Sequence, residues 1–377
     1  MMKMSWNKKL ENSICTVEQL KKYAELSDDV ERQLKRIIQR HPMRITPYYM
    51  SLIDWDNPSD PIKKMAVPSL EEFNLEGSYD TSGEAENTKL PGLQHKYSET
   101  ALILATNRCA IYCRHCFRKR LIGLPSAEVI KRFEDAANYV RQHKEINNVL
   151  ISGGDPLVLS NGVIENFLLL LSDIPHLKFI RFGSRTPVTL PSRFDDDELL
   201  NILREHSRPD RRIYVVTQFN YPREITKKSI KAVDNLIKSG VVLNNQTVLL
   251  KGVNDYPRTL AKLQNRLVDI GVNPYYVFQC RPVKRVKYSF QIPLCKGIDI
   301  VETAKKSCNG HSKRFKYIMS HKTGKIEILG IVDNEIYFKY HQAKNRKNLG
   351  KIFRRKVDSK ASWLDDFNVK VSDIKNR

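Results

Sequence analysis

Acidic residues are scarce beside basic ones in this 377-residue chain: 42 Asp and Glu stand against 64 Lys and Arg, for a formal net charge of +22. Such an excess calls for anionic ligands or partners, or for a solvated basic surface. No apolar run approaches the roughly 18 residues that a spanning helix needs, which excludes an integral helical membrane protein. The start, MMKMSWNKKL, has no apolar h-region, so no secretory signal is expected and a reducing cytoplasm is the default compartment. Internal repeats beyond a β/α alternation and low-complexity tracts are lacking. The seven cysteines are an odd count, and three of them crowd between positions 109 and 116, which suits metal binding better than a disulfide framework. With 41% apolar and 9% aromatic residues the chain is too hydrophobic for disorder. Its length permits burial of roughly three quarters of the unfolded surface.

The first hundred residues read as helices joined by loops. Residues 18–40 carry apolar side chains at helical spacing, after which Pro42, Pro47, Pro58, Pro61 and Pro68 interrupt the pattern. Residues 71–92 are a polar, acidic connector (Glu71, Glu72, Glu76, Asp80, Glu84, Glu86), expected to be a wrapping loop. From residue 100 onward short β-rich runs (101–106, 148–152, 179–184, 213–217, 241–250, 274–279) alternate with amphipathic helical patterns near 127–143, 163–173, 195–205, 224–239 and 256–270. Each helical stretch is long enough for a right-handed crossover between parallel strands. Six strands are too few for a closed eight-stranded barrel. The expected fold is α/β, an incomplete (β/α)6 barrel, with a doubly wound open sheet as the alternative. Residues 314–321, 325–332 and 335–341 read as an antiparallel meander, followed by a basic extension in which positions 338–357 contain no acid. The expected division is a helical, wrapping segment over 1–95, a barrel over 96–305, and a β-meander with basic tail over 306–377.

The chemistry concentrates directly after the first barrel strand, in Thr106-Asn-Arg-Cys109-Ala-Ile-Tyr-Cys113-Arg-His-Cys116-Phe-Arg-Lys-Arg120. Three thiolates in one loop, at intervals of four and three, can hold three irons of a cubane cluster and leave the fourth iron open to an outside ligand. A structural zinc site is the other reading of the same thiols, but it needs a fourth ligand, and His115 lies inside the Cys113–Cys116 chelate.

This CxxxCxxC spacing, with an aromatic ring before the last cysteine, resembles the radical S-adenosylmethionine superfamily. Further motifs resemble the lysine 2,3-aminomutase family within it, over roughly residues 40 to 340. They are Ile45-Thr-Pro-Tyr-Tyr, Asp60-Pro-Ile, His95-Lys-Tyr, Tyr112-Cys-Arg-His-Cys-Phe-Arg-Lys-Arg, Ile151-Ser-Gly-Gly-Asp-Pro-Leu, Arg185-Thr-Pro and Thr217-Gln-Phe-Asn, then Asn245-Gln-Thr-Val-Leu-Leu-Lys-Gly-Val-Asn-Asp and Pro293-Leu-Cys-Lys-Gly. The resemblance implies a radical enzyme of the isomerase class that moves an amino group between adjacent carbons of an amino acid. Cys109, Cys113 and Cys116 would hold a [4Fe-4S] cluster. Ser152, Gly153, Gly154, Asp155, Arg185, Gln218 and Gln246 sit at or near strand ends, where such folds keep their sites, and would bind S-adenosylmethionine. Asp155 would accept from its amino group. A 5′-deoxyadenosyl radical would take a hydrogen from the substrate β-carbon, and pyridoxal phosphate would supply the π system for migration. Lys325 matches the lysine that carries pyridoxal phosphate, Lys96 matches a phosphate-binding position, and Arg118 matches the arginine that grips the substrate carboxylate. An electron donor such as flavodoxin or ferredoxin is implied, and a homo-oligomer is compatible.

Two departures concern the substrate. The family loop before the lysine is longer and contains an aspartate, whereas here it is Ser320-His-Lys-Thr-Gly-Lys325; a second aspartate, after Gln-Cys, is replaced by Arg281. Those aspartates receive the substrate ammonium in lysine-acting members. Arg281 sets cation against cation, so an acidic or neutral substrate is expected. Cys280, Cys295 and Cys308 read as small buried hydrophobes, and His311 and His321 as surface residues. Two other functions stay open: a radical enzyme without pyridoxal phosphate acting on a protein or RNA, and an iron–sulfur nucleic-acid-binding protein served by the basic tail.

Overall fold

The computed structural model describes residues 5–367; the outermost ends of the expected first and last segments lie outside the described residues. Twelve strands form one mixed sheet whose spatial order follows chain order. They are β1 (Thr88–Leu90), β2 (Leu93–Tyr97), β3 (Thr100–Thr106), β4 (Asn148–Gly153), β5 (Phe179–Gly183), β6 (Arg212–Thr217), β7 (Val242–Leu249), β8 (Asn273–Gln279), β9 (Lys316–His321), β10 (Gly324–Val332), β11 (Glu335–Ala343) and β12 (Ile352–Lys356). Strands β3 to β9 pair in parallel, while β1–β2–β3 and β9–β10–β11–β12 are antiparallel.

All six expected strands are present, and so are the five helices between them, at Phe133–Gln142, Asn161–Ser172, Asp197–His206, Lys227–Lys238 and Pro257–Asp269. Their starts follow from capping. Thr226 accepts from Ser229 N–H, Asp196 accepts from Leu199 N–H, and Pro257 opens its helix where no backbone N–H is required. Their apolar faces, such as Ile164, Phe167, Leu168 and Leu171, meet one face of the sheet, including Val149, Ile151, Ile180, Phe182, Ile213 and Val215. Burying each such side chain contributes about 1.5–3 kcal/mol.

The C-terminal part differs from expectation in two ways. Helix Leu294–Lys306 acts as a further crossover, so β9, the first strand of the expected antiparallel meander β9–β10–β11, also joins β8 in parallel. Part of the basic tail is the edge strand β12, paired to β11, where Arg354, Arg355 and Lys356 place charge on an open edge.

The N-terminal part differs too. Ser27 accepts from Val30 N–H and starts a new helix, so the expected 18–40 helix divides into Val17–Leu20 and Asp28–Arg40. The acidic connector, expected as a wrapping loop, is partly regular. It contains the short helix Glu84–Asn87 and strand β1, and Glu72 and Glu84 are buried. Glu72 is 1% exposed and holds Arg114 at 2.5 Å and Lys119 Nζ at 2.7 Å, both from the cysteine loop. Burial alone pushes its carboxyl up, but Arg114 and Lys119 outweigh that and hold it at about 2. Glu72→Ala leaves two buried cations uncompensated and is expected to lower stability by about 3–5 kcal/mol, read from the midpoint of denaturant unfolding. Because the folded value is depressed, Glu72's contribution is present above its ordinary 4.5 and is lost as pH falls through about 2.

Candidate functional site

Side chains alternate across a strand, and here the two faces have opposite duties. In β5 the burial alternates strictly: Ile180 and Phe182 pack against helices, while Arg181 and Gly183 line a cavity. The same alternation brings Leu102 of β3, Leu150 and Ser152 of β4, Gln246 and Val248 of β7 and Phe278 of β8 to that cavity, whose volume is about 350 Å³.

The cysteine loop closes one end. It is fastened to the end of β4: Asp155 N–H donates to Arg108 O at 2.8 Å, and Gly154 N–H donates to Thr106 O. Gly153 has φ +111°, and a Cβ on Gly154 would run into the Arg108 carbonyl, so both positions require glycine. Cys109, Cys113 and Cys116 are free thiols, and all three line the cavity. Burial, the nearby Asp155 and the other two thiols push Cys109 well up, and burial with Cys113 pushes Cys116 to about 11. Thiols held up by burial and by neighbouring thiols, as Cys109 and Cys116 are, fit a cationic metal cluster, which relieves their repulsion on deprotonation. Among the described residues no three His, Cys, Asp or Glu side chains converge as the ligands of a single ion do. A cubane does not require that convergence, since each thiol takes its own iron. His115 is buried, with Nε2 3.3 Å from Asn220 Nδ2.

Beside the thiols, Arg185 anchors a network. Its Nη1 donates to Cys113 Sγ at 2.9 Å, its Nε to Gln218 O at 3.1 Å, and its Nη2 to Tyr49 Oη at 2.9 Å and to the fully buried Glu224. Asp155 accepts from Ser184 Oγ at 2.7 Å and from the backbone N–H of Leu157 and Arg185 at 3.1 and 2.7 Å. Its carboxylate therefore also braces the loops that follow β4 and β5.

A second pole is cationic. Lys325 is the second residue of β10, opposite Ser320 of β9 and Gln342 of β11, with Nζ 5.1 Å from the Tyr276 ring centroid. Burial, then Arg181, Arg281 and Lys96, lower its amine to about 7. Lys96 Nζ donates to Ser82 O at 3.0 Å and His321 O at 2.7 Å, and burial with Arg281 lowers it to about 7 as well. The buried Nε of Arg181, Nη1 of Arg281 and Oε1 of Gln342 have no partner among the described residues. Arg118 donates from Nε to Glu84 Oε1 at 3.0 Å and from Nη1 to Ser152 Oγ at 3.1 Å. Glu84 also binds Arg120, and together these arginines outweigh its burial and hold its carboxyl at about 2.

Every candidate named from the sequence, Cys109, Cys113, Cys116, Lys96, Arg118, Ser152, Gly153, Gly154, Asp155, Arg185, Gln218, Gln246, Arg281 and Lys325, lines this one cavity. Sequence reasoning missed Arg181, Glu84, Phe117, Ser320 and Gln342, which line it too. For Arg181 a signal existed: a charge midway along a parallel strand whose neighbours face helices must face a cavity. His321 is 1% exposed and sits 3.1 Å from Asp365, because β9 carries it into the interior, so it is not a surface residue. Cys295 is only half-buried, its thiol turned to Asp358 O at 3.5 Å, whereas Cys280 and Cys308 are buried and His311 is exposed. No described helix is long and apolar enough to cross a membrane.

The chain matches a family model described as the radical SAM superfamily over residues 103–263. A protein of Aquifex aeolicus (strain VF5), provisionally named an L-lysine 2,3-aminomutase, is 43% identical over 359 residues, covering 95% of this chain and 96% of its own length. The L-lysine 2,3-aminomutase of Clostridium subterminale is 39% identical, covering 81% of this chain and 73% of its own. The glutamate 2,3-aminomutase of Clostridioides difficile (strain 630) is 36% identical, covering 79% and 70%. Among solved structures, native anSMEcpe with bound AdoMet and Cp18Cys peptide covers 54% of this chain and 58% of that one, at 17% identity and a TM-score of 0.41.

Proposed function

Because this chain belongs to the lysine 2,3-aminomutase family of radical S-adenosylmethionine enzymes, we propose that it moves an amino group between adjacent carbons of a small amino acid, using a [4Fe-4S] cluster, S-adenosylmethionine and pyridoxal phosphate. The observation that carries this reading is a single cavity lined both by three thiols and by a lysine whose amine is held near 7 among unpartnered guanidinium nitrogens. When bound, the cluster and S-adenosylmethionine supply a hydrogen-abstracting radical, and pyridoxal phosphate supplies the π system for nitrogen migration.

The chain's own groups have separate duties. Cys109, Cys113 and Cys116 would each hold one iron, and the Arg185 N–H on Cys113 Sγ would orient that thiolate and offset its charge. Gly153 and Gly154 let backbone come close to a bound methionine moiety, with Ser152, Asp155, Gln218 and Gln246 around it. Lys325 would offer a neutral amine to pyridoxal phosphate, with Lys96 and Arg181 as cations for its phosphate. Arg118, braced by Glu84 and Ser152, would grip the α-carboxylate through its remaining N–H. We read the parallel strands as an open barrel with its site at the C-terminal strand ends, the N-terminal segment wrapping it and the last strands extending it.

Anaerobic reconstitution tests this. With S-adenosylmethionine and a reductant such as flavodoxin, an amino acid should stimulate 5′-deoxyadenosine release and be recovered with its amino group on the neighbouring carbon. Deoxyadenosine release without any isomerised amino acid, in protein that binds no pyridoxal phosphate, would leave a radical enzyme of another kind.

A further inference from the structure

An amino acid held by its α-carboxylate and its amine still presents a side chain to the cavity, and the groups that meet it decide which amino acid reacts. The charge around this cavity is lopsided. Among the described residues, the guanidinium groups of Arg118, Arg181, Arg185 and Arg281, with the amines of Lys96 and Lys325 beside them, share the cavity lining with two carboxylates, Glu84 and Asp155. Both carboxylates are committed: Glu84 is bridged to Arg118 and Arg120, and Asp155 accepts from Ser184 Oγ and two backbone N–H groups. Neither is free to receive a side-chain ammonium, and adding one would set it among cations.

Arg281 is differently placed. It follows β8, and its Nη2 donates to Ser320 Oγ at 2.8 Å, so it touches the first residue of the shortened loop that leads to Lys325. Its guanidinium carbon lies 4.1 Å from the Phe117 ring centroid, and that of Arg118 lies 4.6 Å from the same centroid. The two guanidinium groups are therefore within about 9 Å of each other, a span that one short dicarboxylate can bridge end to end. The Arg281 Nη1 is buried and unpartnered, a state that costs free energy until an acceptor arrives.

We propose that Arg281, held by Ser320 and Phe117, receives the side-chain carboxylate of the substrate, so that the substrate is a dicarboxylic amino acid, glutamate or aspartate, and not lysine. This rests on the aminomutase reading above. Ser320 and Phe117 are positioning residues, and Arg281 determines specificity. Lysine, with its ε-ammonium against Arg281, is rejected by repulsion.

The reconstituted holoenzyme decides the matter with L-glutamate, L-aspartate and L-lysine. Product, 5′-deoxyadenosine, pyridoxal phosphate content and calorimetric affinity are measured for the wild type, Arg281→Gln, Arg281→Lys and Ser320→Ala. The wild type is expected to prefer glutamate or aspartate over lysine by about 100-fold or more in kcat/KM. Arg281→Gln should raise KM and Kd for that substrate about 10- to 100-fold while kcat and pyridoxal phosphate content stay within a few-fold. Arg281→Lys should recover part of the loss, and Ser320→Ala should shift KM the same way by less. Three results overturn the proposal. Lysine turned over as well as the dicarboxylates by the wild type leaves the aminomutase reading intact but removes the carboxylate subsite. Loss of pyridoxal phosphate from Arg281→Gln makes the guanidinium a phosphate ligand. If S-adenosylmethionine is cleaved and no amino acid is isomerised by any protein, the aminomutase reading falls and this proposal with it.

Discussion

Cys113→Ala is expected to abolish turnover while leaving a folded protein. The half-buried Cys113 side chain is small, so the cavity term of its truncation is minor, about 1 kcal/mol. Arg185, which loses the sulfur as an acceptor, keeps Tyr49, Glu224 and the Gln218 carbonyl. The cluster has no such reserve. Two remaining thiols cannot fix a cubane that needs three protein sulfurs, so iron and acid-labile sulfide should fall, the cluster's paramagnetic signal should vanish, and S-adenosylmethionine cleavage should drop more than about a thousandfold. Thermal unfolding of the apoprotein should move little. An unchanged iron content with activity retained would show that the cysteine loop is structural. The same variant separates a cluster from a zinc site, because zinc loss leaves no change in visible absorbance.

Lys325→Ala should have an equally large effect on isomerisation and a different signature. Iron content and S-adenosylmethionine binding should survive, since the groups that act on Lys325 are Tyr276, Arg181, Arg281 and Lys96 and none of them is a thiol. Covalently held pyridoxal phosphate, seen as visible absorbance that survives gel filtration, should be lost. Amino-acid isomerisation should fall more than about a thousandfold. The pH arm follows from charge. Burial first, then Arg181, Arg281 and Lys96, bring the Lys325 amine from 10.5 to about 7. Only the neutral amine attacks an aldehyde, so uptake of pyridoxal phosphate by the apoprotein should climb as pH rises through about 7 and level off above it. An amine at its ordinary value would still be gaining rate at pH 9. Uptake that keeps rising through pH 9 would mean that the cations around Lys325 do not act on it as the geometry implies.

Pattern and placement part company at identifiable residues. The cysteine loop was legible because its information is local: intervals of four and three between thiols fix what one loop can ligate. The strands at 148–152 and 213–217 were legible because β-branched runs bounded by turns specify extended chain wherever they pack. The parallel order followed from helices of crossover length, and it failed only where helix Leu294–Lys306 was not read as one. Lys325 was found through its match to the family's lysine. Only the pairing of β10 between β9 and β11 puts it in the cavity.

The sequence by itself determined the cluster loop, the alternation of strand and helix and the substitution of Arg281, because each depends on neighbours along the chain. The tertiary structure alone decided that Arg281 meets Ser320, 39 residues away, that Glu84 braces Arg118 across 34, and that Glu72 lies under the cysteine loop. Such contacts arise when a twelve-stranded sheet folds distant segments around one interior. There, burial removes water, and an unpaired charge becomes costly enough that each acid and each guanidinium has to find a partner or await a ligand. The net charge of +22 shows the same division. Composition gave its size, but only the fold turned part of it inward, as a cluster of cations around a cavity.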